Sequence, residues 1–437
     1  MINQQEFARR RKQLMSTMGD NSIAILSSAD EQVRNRDVHF MFRQDSDFHY
    51  LSGFPEPNAI MVLIPGREHG EFVLFCNERN AEMETWHGRR FGQEGAKQQF
   101  GVDDAFPIDD IDDILPGMIE GRERIYYEMG KNPAFDNRVM GWVNKIRSQV
   151  RNGAHPPGEL VDLRYSLHDL RLFKSSAELK VMRKACEIAA QAHCDVMKMT
   201  SPGLSELDIE ARLNYQFASQ GARFCAYPSI VAAGENACIL HYTENNSKLK
   251  NGDLLLIDAG AEYQCYASDI TRTFPVNGKF SRVQKQLYEI VLAAQLAAIE
   301  EIKPGNHWMQ PHNKAVEVLT QGLLDLDILK GELETLIKEE AYKPFYMHKT
   351  GHWLGLDVHD VGDYQIESEP RVLEPGMVMT VEPGLYIASG NEKVDKKYWG
   401  IGIRIEDDVL VTAQGYEILS ADVPKTIDDI EALMASA

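Results

Sequence analysis

The sequence predicts two domains, an α/β domain over residues 1–172 and an α+β domain over residues 173–437 that contains an internal repeat. In the N-terminal domain short β-rich runs alternate with helical or polar stretches, a pattern typical of α/β folds. In the C-terminal domain a pair of similar strand motifs and a pair of similarly capped helices recur, which indicates a duplication. The chain has 437 residues, enough for two domains that each bury a core of their own.

The elements of the first domain are predicted from runs rich in β-branched and aromatic residues. These runs are residues 23–26, 59–64, 72–75 and 125–127, and a helical pattern covers residues 137–148. The segment RNGAHPPG at 151–158 gathers Gly, Pro and polar residues, and a long helical pattern begins at Ser175. The domain boundary is therefore expected between about 158 and 174.

Two helices of the second domain begin with the same capping signal. Ser175-Ser-Ala-Glu178 and Ser281-Arg-Val-Gln284 both have the spacing of a capping box, in which the two side chains bond to free amides of the first helical turn. Each helix runs toward a Pro-Gly pair, at Pro202-Gly203 and Pro304-Gly305. These pairs are expected to end the helices.

Two strand motifs carry one acid each in the same position. GDLLLIDAG at 252–260 and GMVMTVEPG at 376–384 both have a glycine, five residues, a carboxylate, one residue and a glycine. The strands are mostly apolar, so Asp258 and Glu382 are expected at the ends of buried strands. A buried ionised carboxylate is costly without a partner, which predicts hydrogen bonds, an ion pair or a metal there.

Each of these acids has an acidic companion nearby in the sequence. Asp269 follows Asp258 by 11 residues across an expected hairpin, which would place the two acids directly opposite each other. Alternation in the strand at 400–406 puts Gly402, Arg404 and Glu406 on one face and isoleucines on the other. A duplicated fold would bring all four acids together, and this requires either strongly raised pKa values or bound cations, with two cations expected.

A cluster of histidines lies between the two halves of the repeat. The stretch FYMHKTGHWLGLDVHD contains His348, His352 and His359. Gly351 and Gly355 argue against a helical zinc motif, and the residues after Gly351 alternate as in a strand. One imidazole added to several carboxylates favours Mn, Fe or Co over a thiolate zinc site.

Charge, cysteine content and hydropathy indicate which partners and which cellular compartment to expect. The 46 Lys and Arg residues against 66 Asp and Glu residues give a net charge of −20, which argues against nucleic acid and anionic membranes as partners. The six cysteines form no Cys-x-x-Cys pair and are expected to be buried thiols, which suits a reducing compartment. The apolar run at 290–299 is too short to span a bilayer, so a cytoplasmic protein is expected.

The motifs together resemble a known family over essentially the whole chain. FRQDSDFHYLSGFPEPNAI, HYTENN, LLLIDAGAEYQCYASDITRTFPVNGKF, HWLGLDVHDVG, VEPGLYI and GIGIRIEDDVLV are similar to those of the metal-dependent peptidases of the pita-bread fold, which include aminopeptidase P, prolidase and methionine aminopeptidase. The aminopeptidase P branch is the most similar. The resemblance implies a pita-bread catalytic domain after a creatinase-type N-terminal domain that serves oligomerisation or substrate access.

Carried over by position, the resemblance implies a ligand set and a substrate site. The implied ligands of two divalent ions are Asp258, Asp269, His352, Glu382 and Glu406. The implied catalytic or substrate-contacting residues are His241, His348, His359, Tyr386, Arg404 and Trp86, the last closing the site from a neighbouring subunit. Lys349 and Thr350 depart from the small residues that the family usually has between the two histidines.

The resemblance implies removal of the N-terminal residue from peptides with proline in second position, by attack of a hydroxide that bridges two ions, with Mn²⁺ as the expected metal. Glu382 would relay the proton, and a homo-oligomer, tetramer or dimer, is implied. The alternatives are a prolidase restricted to dipeptides, a creatinase-like hydrolase, which the five intact ligand positions oppose, and a binding module that keeps only the fold.

Overall fold

The computed structural model describes residues 2–436 and falls into two compact units that meet in sequence between Arg171 and Leu172. The helices that begin in the first unit are α1 (Gln4–Met18), α2 (Ser46–Ser52), α3 (Ala81–His87), α4 (Gly92–Phe100), α5 (Ile111–Ile119), α6 (Pro133–Arg147) and α7 (Arg164–Leu172). Its strands are β1 (Ser22–Ser27), β2 (Val33–Asn35), β3 (Val38–His39), β4 (Ile60–Leu63), β5 (Phe72–Cys76), β6 (Asp104–Pro107), β7 (Arg124–Tyr127) and β8 (Glu159–Asp162).

The first unit is built on a mixed sheet of six strands in the order β6-β5-β4-β1-β7-β8. Strand β1 pairs antiparallel with β4 and parallel with β7. Every residue of β4 and β5 is buried, as expected for strands that are covered on both faces. Leu115 of α5 and Trp142 of α6 pack with Val62 and Phe75 in one hydrophobic cluster. The predicted α/β domain is confirmed.

The second unit contains two sets of helices and strands. Its helices are α8 (Ser176–Met199), α9 (Glu206–Ser219), α10 (Arg282–Glu300), α11 (Met309–Asp325), α12 (Leu333–Lys338) and α13 (Ile427–Ala435). Its strands are β9 (Phe224–Cys225), β10 (Ile230–Ala233), β11 (Leu254–Asp258), β12 (Ala261–Glu262), β13 (Thr271–Pro275), β14 (Gln365–Ile366), β15 (Glu369–Pro370), β16 (Val378–Val381), β17 (Gly384–Ile387), β18 (Ile401–Arg404), β19 (Asp407–Thr412) and β20 (Gly415–Ile418).

The repeat predicted from the sequence is visible in this unit. Capping boxes at Ser175 and Ser281 begin α8 and α10, and both helices end before their Pro-Gly pairs. One three-stranded sheet has the order β10-β11-β13 and the other the order β16-β19-β20. The predicted α+β domain is confirmed.

Alternation along the strands separates the core from the face that carries the acids. Leu255 and Ile257 of β11 pack in the main hydrophobic cluster of the unit, so Asp258 lies on the opposite face. Ile403 and Ile405 belong to the same cluster. This arrangement directs the acids of the repeat away from the apolar core.

The structure corrects the expected pairing of the first two acids. Asp258 lies opposite Thr271 in the β11–β13 ladder, and Asp269 comes two residues before that partner. The chain between them forms the short strand β12 and a turn at Gln264 and Cys265, both with positive φ. Asp269 therefore reaches the same face diagonally, because residues two apart on a strand point the same way.

Two other expectations are also wrong. Residues 353–359 do not form a strand; the segment is irregular and makes an isolated bridge between Trp353 and Met379. Pairing with β16 ends at Leu354, whose amide donates to the Val378 carbonyl, and the amide of Gly355 then donates to the nearby carbonyl of Asp357. Four cysteines are only half-buried rather than buried, although the six are free thiols: Cys194, Cys225, Cys238 and Cys265.

Candidate active site

The acidic face of the second unit borders a cavity of about 550 Å³. Its lining includes the acids of both repeats and the histidines that follow α12 in the chain. The cavity residues singled out by the sequence are His241, Asp258, Asp269, His348, His352, His359, Glu382, Arg404 and Glu406. The cavity is of the size that small-molecule and short peptide sites have.

Asp258 and Asp269 are bridged by a tyrosine. The hydroxyl oxygen of Tyr227 lies 2.6 Å from Oδ1 of Asp258 and 2.5 Å from Oδ1 of Asp269. The turn that brings Asp269 back depends on Gly260, since a Cβ there would lie 1.6 Å from the carbonyl oxygen of Ser268. The backbone at the end of the sequence Asp258-Ala259-Gly260 therefore has no room for a side chain at position 260.

Glu382 and Glu406 come from the second repeat. The β16–β19 and β17–β18 ladders share one register, with Val381 opposite Asp407 and Gly384 opposite Arg404. Continued between the two ladders, that register sets Glu382 opposite Glu406. Glu406 also contacts the first repeat, because the Thr271 hydroxyl donates a 2.6 Å hydrogen bond to its carboxylate.

His352 is the imidazole nearest the acids. Its Nε2 lies 3.3 Å from Oδ2 of Asp269 and 3.8 Å from Oε1 of Glu382. Its Nδ1 donates to the carbonyl of Trp353 at 2.9 Å, which leaves Nε2 to face the acids. The donor atoms of Asp269, His352 and Glu406 all lie within 4.8 Å of one another.

A hydrogen-bonded chain leads from the acids to His348. Arg404 donates to Asp258 at 2.6 Å and to the Tyr386 hydroxyl at 3.0 Å. Nε2 of His348 lies 2.9 Å from that hydroxyl, and its Nδ1 donates to the carbonyl of Lys349 at 2.8 Å. Burial, reinforced by Arg404, lowers the pKa of His348 to about 4, so the neutral ring accepts the tyrosine proton.

Three carboxyls of the cavity, those of Asp269, Glu382 and Glu406, have pKa values above those of free carboxyls. Burial and the neighbouring Asp258 raise the pKa of Asp269, and burial and Asp269 raise that of Glu406. Burial also raises the pKa of Glu382 to about 7. Burial alone would lower the pKa of His352, but its contact with Asp269 raises it to about 9. Arg404 and His352 therefore compensate only part of the negative charge that these carboxyls would carry when ionised.

This donor set fits divalent metal ions. Four carboxylates carry the negative charge that two divalent cations neutralise, and a single imidazole completes a set of mainly oxygen donors. Asp258, Asp269, His352, Glu382 and Glu406 supply these donors from both halves of the repeat. The raised pKa values of Asp269, Glu382 and Glu406 are the expected signature of ligands that bind a cation.

Sequence reasoning missed two residues that hold the acids in place. The Tyr227 hydroxyl contacts two of them, and the Thr271 hydroxyl accepts from Arg404 at 3.2 Å while it donates to Glu406. The position of Thr271 could have been predicted from the sequence, since it lies two residues after Asp269 and so on the same strand face. Tyr227 had no such signal, because it approaches from a separate loop.

A second group of possible ligands occurs in the first unit. Asp47, Glu128 and His168 offer donor atoms within 4.8 Å of one another. Arg171 donates to Asp47 at 2.7 Å, and Lys131 lies 2.5 Å from Glu128. Each of these two acids is thus already paired with a cationic side chain, so the group is an ion-pair network. Trp86 lies elsewhere in this unit, on α3, with 77 % of its surface exposed.

Over residues 2–436, no helix has the length and apolar content that a membrane span requires.

Two family models match the chain. Residues 180–413 match metallopeptidase family M24, and residues 7–126 match the aminopeptidase P N-terminal domain. The first match covers more than half of the chain and contains the five candidate ligands.

The chain is also similar to characterised proteins over its full length. It is 45 % identical to the Xaa-Pro aminopeptidase of Escherichia coli (strain K12), covering 100 % of this chain and 99 % of that protein. It is 46 % identical to that of Haemophilus influenzae, covering 99 % and 98 %. Human Xaa-Pro dipeptidase is 34 % identical, covering 98 % and 93 %.

Solved structures share the fold. The aminopeptidase PepP of Pseudomonas aeruginosa superposes with a TM-score of 0.99 at 61 % identity, covering 100 % of this chain and 98 % of that one. A zinc-substituted E. coli aminopeptidase P in complex with product superposes with a TM-score of 0.97 at 44 % identity, covering 100 % and 99 %. The two predicted domains thus correspond to an aminopeptidase P N-terminal domain and a pita-bread catalytic domain.

Proposed function

The chain belongs to metallopeptidase family M24, and from that premise we propose that it releases the N-terminal residue from peptides whose second residue is proline. The observation that carries this proposal is the convergence of Asp258, Asp269, His352, Glu382 and Glu406 around one cavity. The full-length similarity to proteins named Xaa-Pro aminopeptidase supports the substrate class.

The five residues hold two divalent ions in this proposal, with Mn²⁺ as the expected metal. Oxygen donors and one imidazole suit Mn²⁺. When bound, a pair of such ions supplies a hydroxide for attack on the scissile carbonyl and a Lewis acid for the carbonyl oxygen. The remaining work belongs to the side chains around them.

Glu382 is placed to move the proton of the reaction. Its Oε1 lies 3.8 Å from Nε2 of His352, at the wall of the cavity where the scissile bond would lie. We assign Glu382 the transfer of a proton to the departing proline nitrogen.

The histidines on the open side of the cavity bind the peptide. His348 is held by Tyr386 and Arg404, and His241 and His359 are exposed at the cavity wall. Burial and the nearby His352 lower the pKa of His359, so it acts as a neutral hydrogen-bonding group. We assign His241 and His359 to the carbonyl oxygen and His348 to the proline side of the peptide.

Selectivity for proline follows from the apolar portion of the wall. Proline has no amide hydrogen and a fixed φ, so a site for it needs a ring-shaped apolar surface rather than an amide acceptor. Ile230, Leu240 and Val358 line the cavity beside the histidines and supply such a surface. In an oligomer, Trp86 of a neighbouring subunit would add an aromatic face.

We further propose the domain limits 1–172 and 173–437, a homo-oligomer, either tetramer or dimer, and a cytoplasmic location. The first domain then serves assembly or substrate access. The exposed Trp86 supports an assembly that covers it, since large aromatic side chains are enriched at subunit interfaces.

The function is tested by substituting a ligand. Asp258→Ala in the metal-stripped and Mn²⁺-resupplied enzyme should abolish release of arginine from Arg-Pro-Pro, while circular dichroism remains that of the folded protein. Asp253→Ala, five residues earlier and outside the cavity lining, is the matched control and should retain activity. Normal turnover by the Asp258 variant would contradict the proposal.

A prolidase activity is the second candidate, because human Xaa-Pro dipeptidase aligns with 98 % of the chain. The two activities differ in the length of peptide accepted. Hydrolysis of Gly-Pro without hydrolysis of Arg-Pro-Pro would identify a prolidase, whereas the proposed function requires cleavage of the tripeptide.

A further inference from the structure

The cavity has one charged side chain at its mouth that the proposed reaction does not use. The exposed residues around the cavity are Pro228, His241, Thr243, Lys349 and His359. Among them, Lys349 alone carries a permanent charge. Its ammonium makes no hydrogen bond or ion pair with any residue in the described range 2–436.

The backbone of Lys349 is fixed beside the substrate site. Its carbonyl accepts the 2.8 Å hydrogen bond from Nδ1 of His348, whose other nitrogen contacts Tyr386. The next residue, Thr350, is buried, and its hydroxyl lies 2.6 Å from the Tyr346 hydroxyl. Lys349 therefore starts from an anchored backbone and extends a long flexible side chain toward solvent.

The surroundings of Lys349 leave its charge uncompensated. Nδ1 of the nearby His312 lies 2.9 Å from the Thr350 hydroxyl. Burial, and then the Lys349 ammonium, lower the pKa of His312 to about 4, so this ring is neutral. The other cation of the lining, Arg404, is buried and already paired with Asp258 at 2.6 Å. Lys349 is thus the cation in the described lining that is available to a ligand.

The direction of a bound peptide places a specific group near Lys349. This step rests on the proposed function, in which the first carbonyl lies at the buried acids. The chain beyond the proline must then leave through the mouth, advancing at most about 3.5 Å per residue. We infer that the third residue is the one at the exposed rim, and in a tripeptide it carries the free carboxylate.

We propose that Lys349 determines specificity by binding a carboxylate on the third residue of the peptide, either the free C-terminus of a tripeptide or the side chain of Asp or Glu. Both sources present the same planar anion to the ammonium. Because Lys349 is the exposed cation of the lining, it would favour substrates that carry a carboxylate at this point, which includes short and acidic peptides.

The test compares peptides that have a carboxylate on the third residue with one that has none. The substrates are Arg-Pro-Pro, its C-terminal amide, and Arg-Pro-Asp with an amidated C-terminus, each assayed with the Mn²⁺-loaded full chain. The variants are Lys349→Met, which removes the charge, and Lys349→Arg, which keeps it. Lys338→Met, an exposed lysine of α12, is the matched control.

For Lys349→Met we expect KM to rise about three- to five-fold for Arg-Pro-Pro and for Arg-Pro-Asp-amide, the size of an exposed ion pair. Because the lysine does not touch the scissile bond, kcat should be unchanged, and so should KM for Arg-Pro-Pro-amide. Lys349→Arg should restore the preference, and the control should match wild type. A loss confined to Arg-Pro-Pro identifies the C-terminus as the group bound, and one confined to Arg-Pro-Asp-amide identifies the side chain.

Equal effects on the charged and uncharged substrates, or no effect on any, would overturn this inference while leaving the proposed function intact. If the wild-type protein with Mn²⁺ cleaves none of the three peptides, the proposed function fails and the inference fails with it.

Discussion

A single hydroxyl proton decides how the metal-free cluster is arranged. The Tyr227 oxygen contacts carboxylate oxygens of both Asp258 and Asp269, but a hydroxyl can donate to only one of them. The other contact requires a proton on the carboxyl, which agrees with the raised pKa of Asp269. Metal binding must displace this proton, so metal uptake releases protons.

Tyr227→Phe removes the hydroxyl that orients both acids. The affinity for Mn²⁺ should fall about 10- to 100-fold, the usual cost of losing a group that positions metal ligands. Calorimetric titration of the metal-free protein measures it. Tyr288→Phe is the matched control, since that buried hydroxyl bonds instead to the carbonyl of Lys425 and should leave the affinity unchanged.

His193 gives the second unit a predictable response to acid. It is fully buried, its Nε2 donates to the carbonyl of Ala259 at 3.0 Å, and burial lowers its pKa to about 4. Below the unfolded value of about 6.5 the unfolded chain binds a proton that the folded chain refuses, so stability falls as pH falls. Between about pH 6.5 and 4 the loss from this group is at most about 3 kcal/mol.

His193→Gln keeps a donor and removes the titration. The difference between wild type and variant in free energy of unfolding, measured by urea denaturation, should therefore depend on pH between about 6.5 and 4 and be constant above about 7. A difference that stays constant over the whole range would show that His193 does not titrate in this way.

At the level of elements, the positions of the acids depend more on how the strands pair than on the sequence of each strand. The β16–β19 ladder ends at Val381, and the β17–β18 ladder begins at Gly384 in the same register. Glu382 and Glu406, which lie between the two ladders, therefore face each other. In the first repeat the turn after β12 shifts Asp269 by two residues. The acids of the two repeats thus line the same cavity although the backbone around them differs.

A buried ion pair holds the end of the irregular segment 353–359, which contains His359. Lys174 lies 2.9 Å from Asp360, and both side chains are 1 % exposed. Lys174→Met leaves a buried carboxylate without its cation and should lower the free energy of unfolding of the second unit by about 3 to 5 kcal/mol. Urea denaturation measures the loss.

Adding Asp360→Leu to Lys174→Met removes the buried carboxylate that has lost its cation. The double variant should therefore recover part of the lost free energy of unfolding. Recovery will be incomplete, because Asp360 also accepts from the amide of Asp357. If the double variant is less stable than Lys174→Met alone, the ion pair is not the source of the effect.

At the scale of the whole molecule, each unit has a hydrophobic core of its own, and the candidate ligands all belong to the second. A ligand that binds only the folded state stabilises it by mass action. Saturating Mn²⁺ should therefore slow amide hydrogen exchange in β11, β13, β16 and β19. The sheet β6-β5-β4-β1-β7-β8 should show no comparable change, and equal protection in both units would contradict this assignment of the site.

The sequence alone determined the two fold classes, the capped helices at Ser175 and Ser281, and the residue types of the ligand set. Periodicity, capping and the cost of burying an acid are local properties, so they can be inferred without coordinates. The tertiary structure decided the diagonal approach of Asp269, the irregular path of residues 353–359, and the position of Tyr227 between two acids. These depend on turns and on contacts between segments distant in sequence, where close packing rather than local preference selects the conformation.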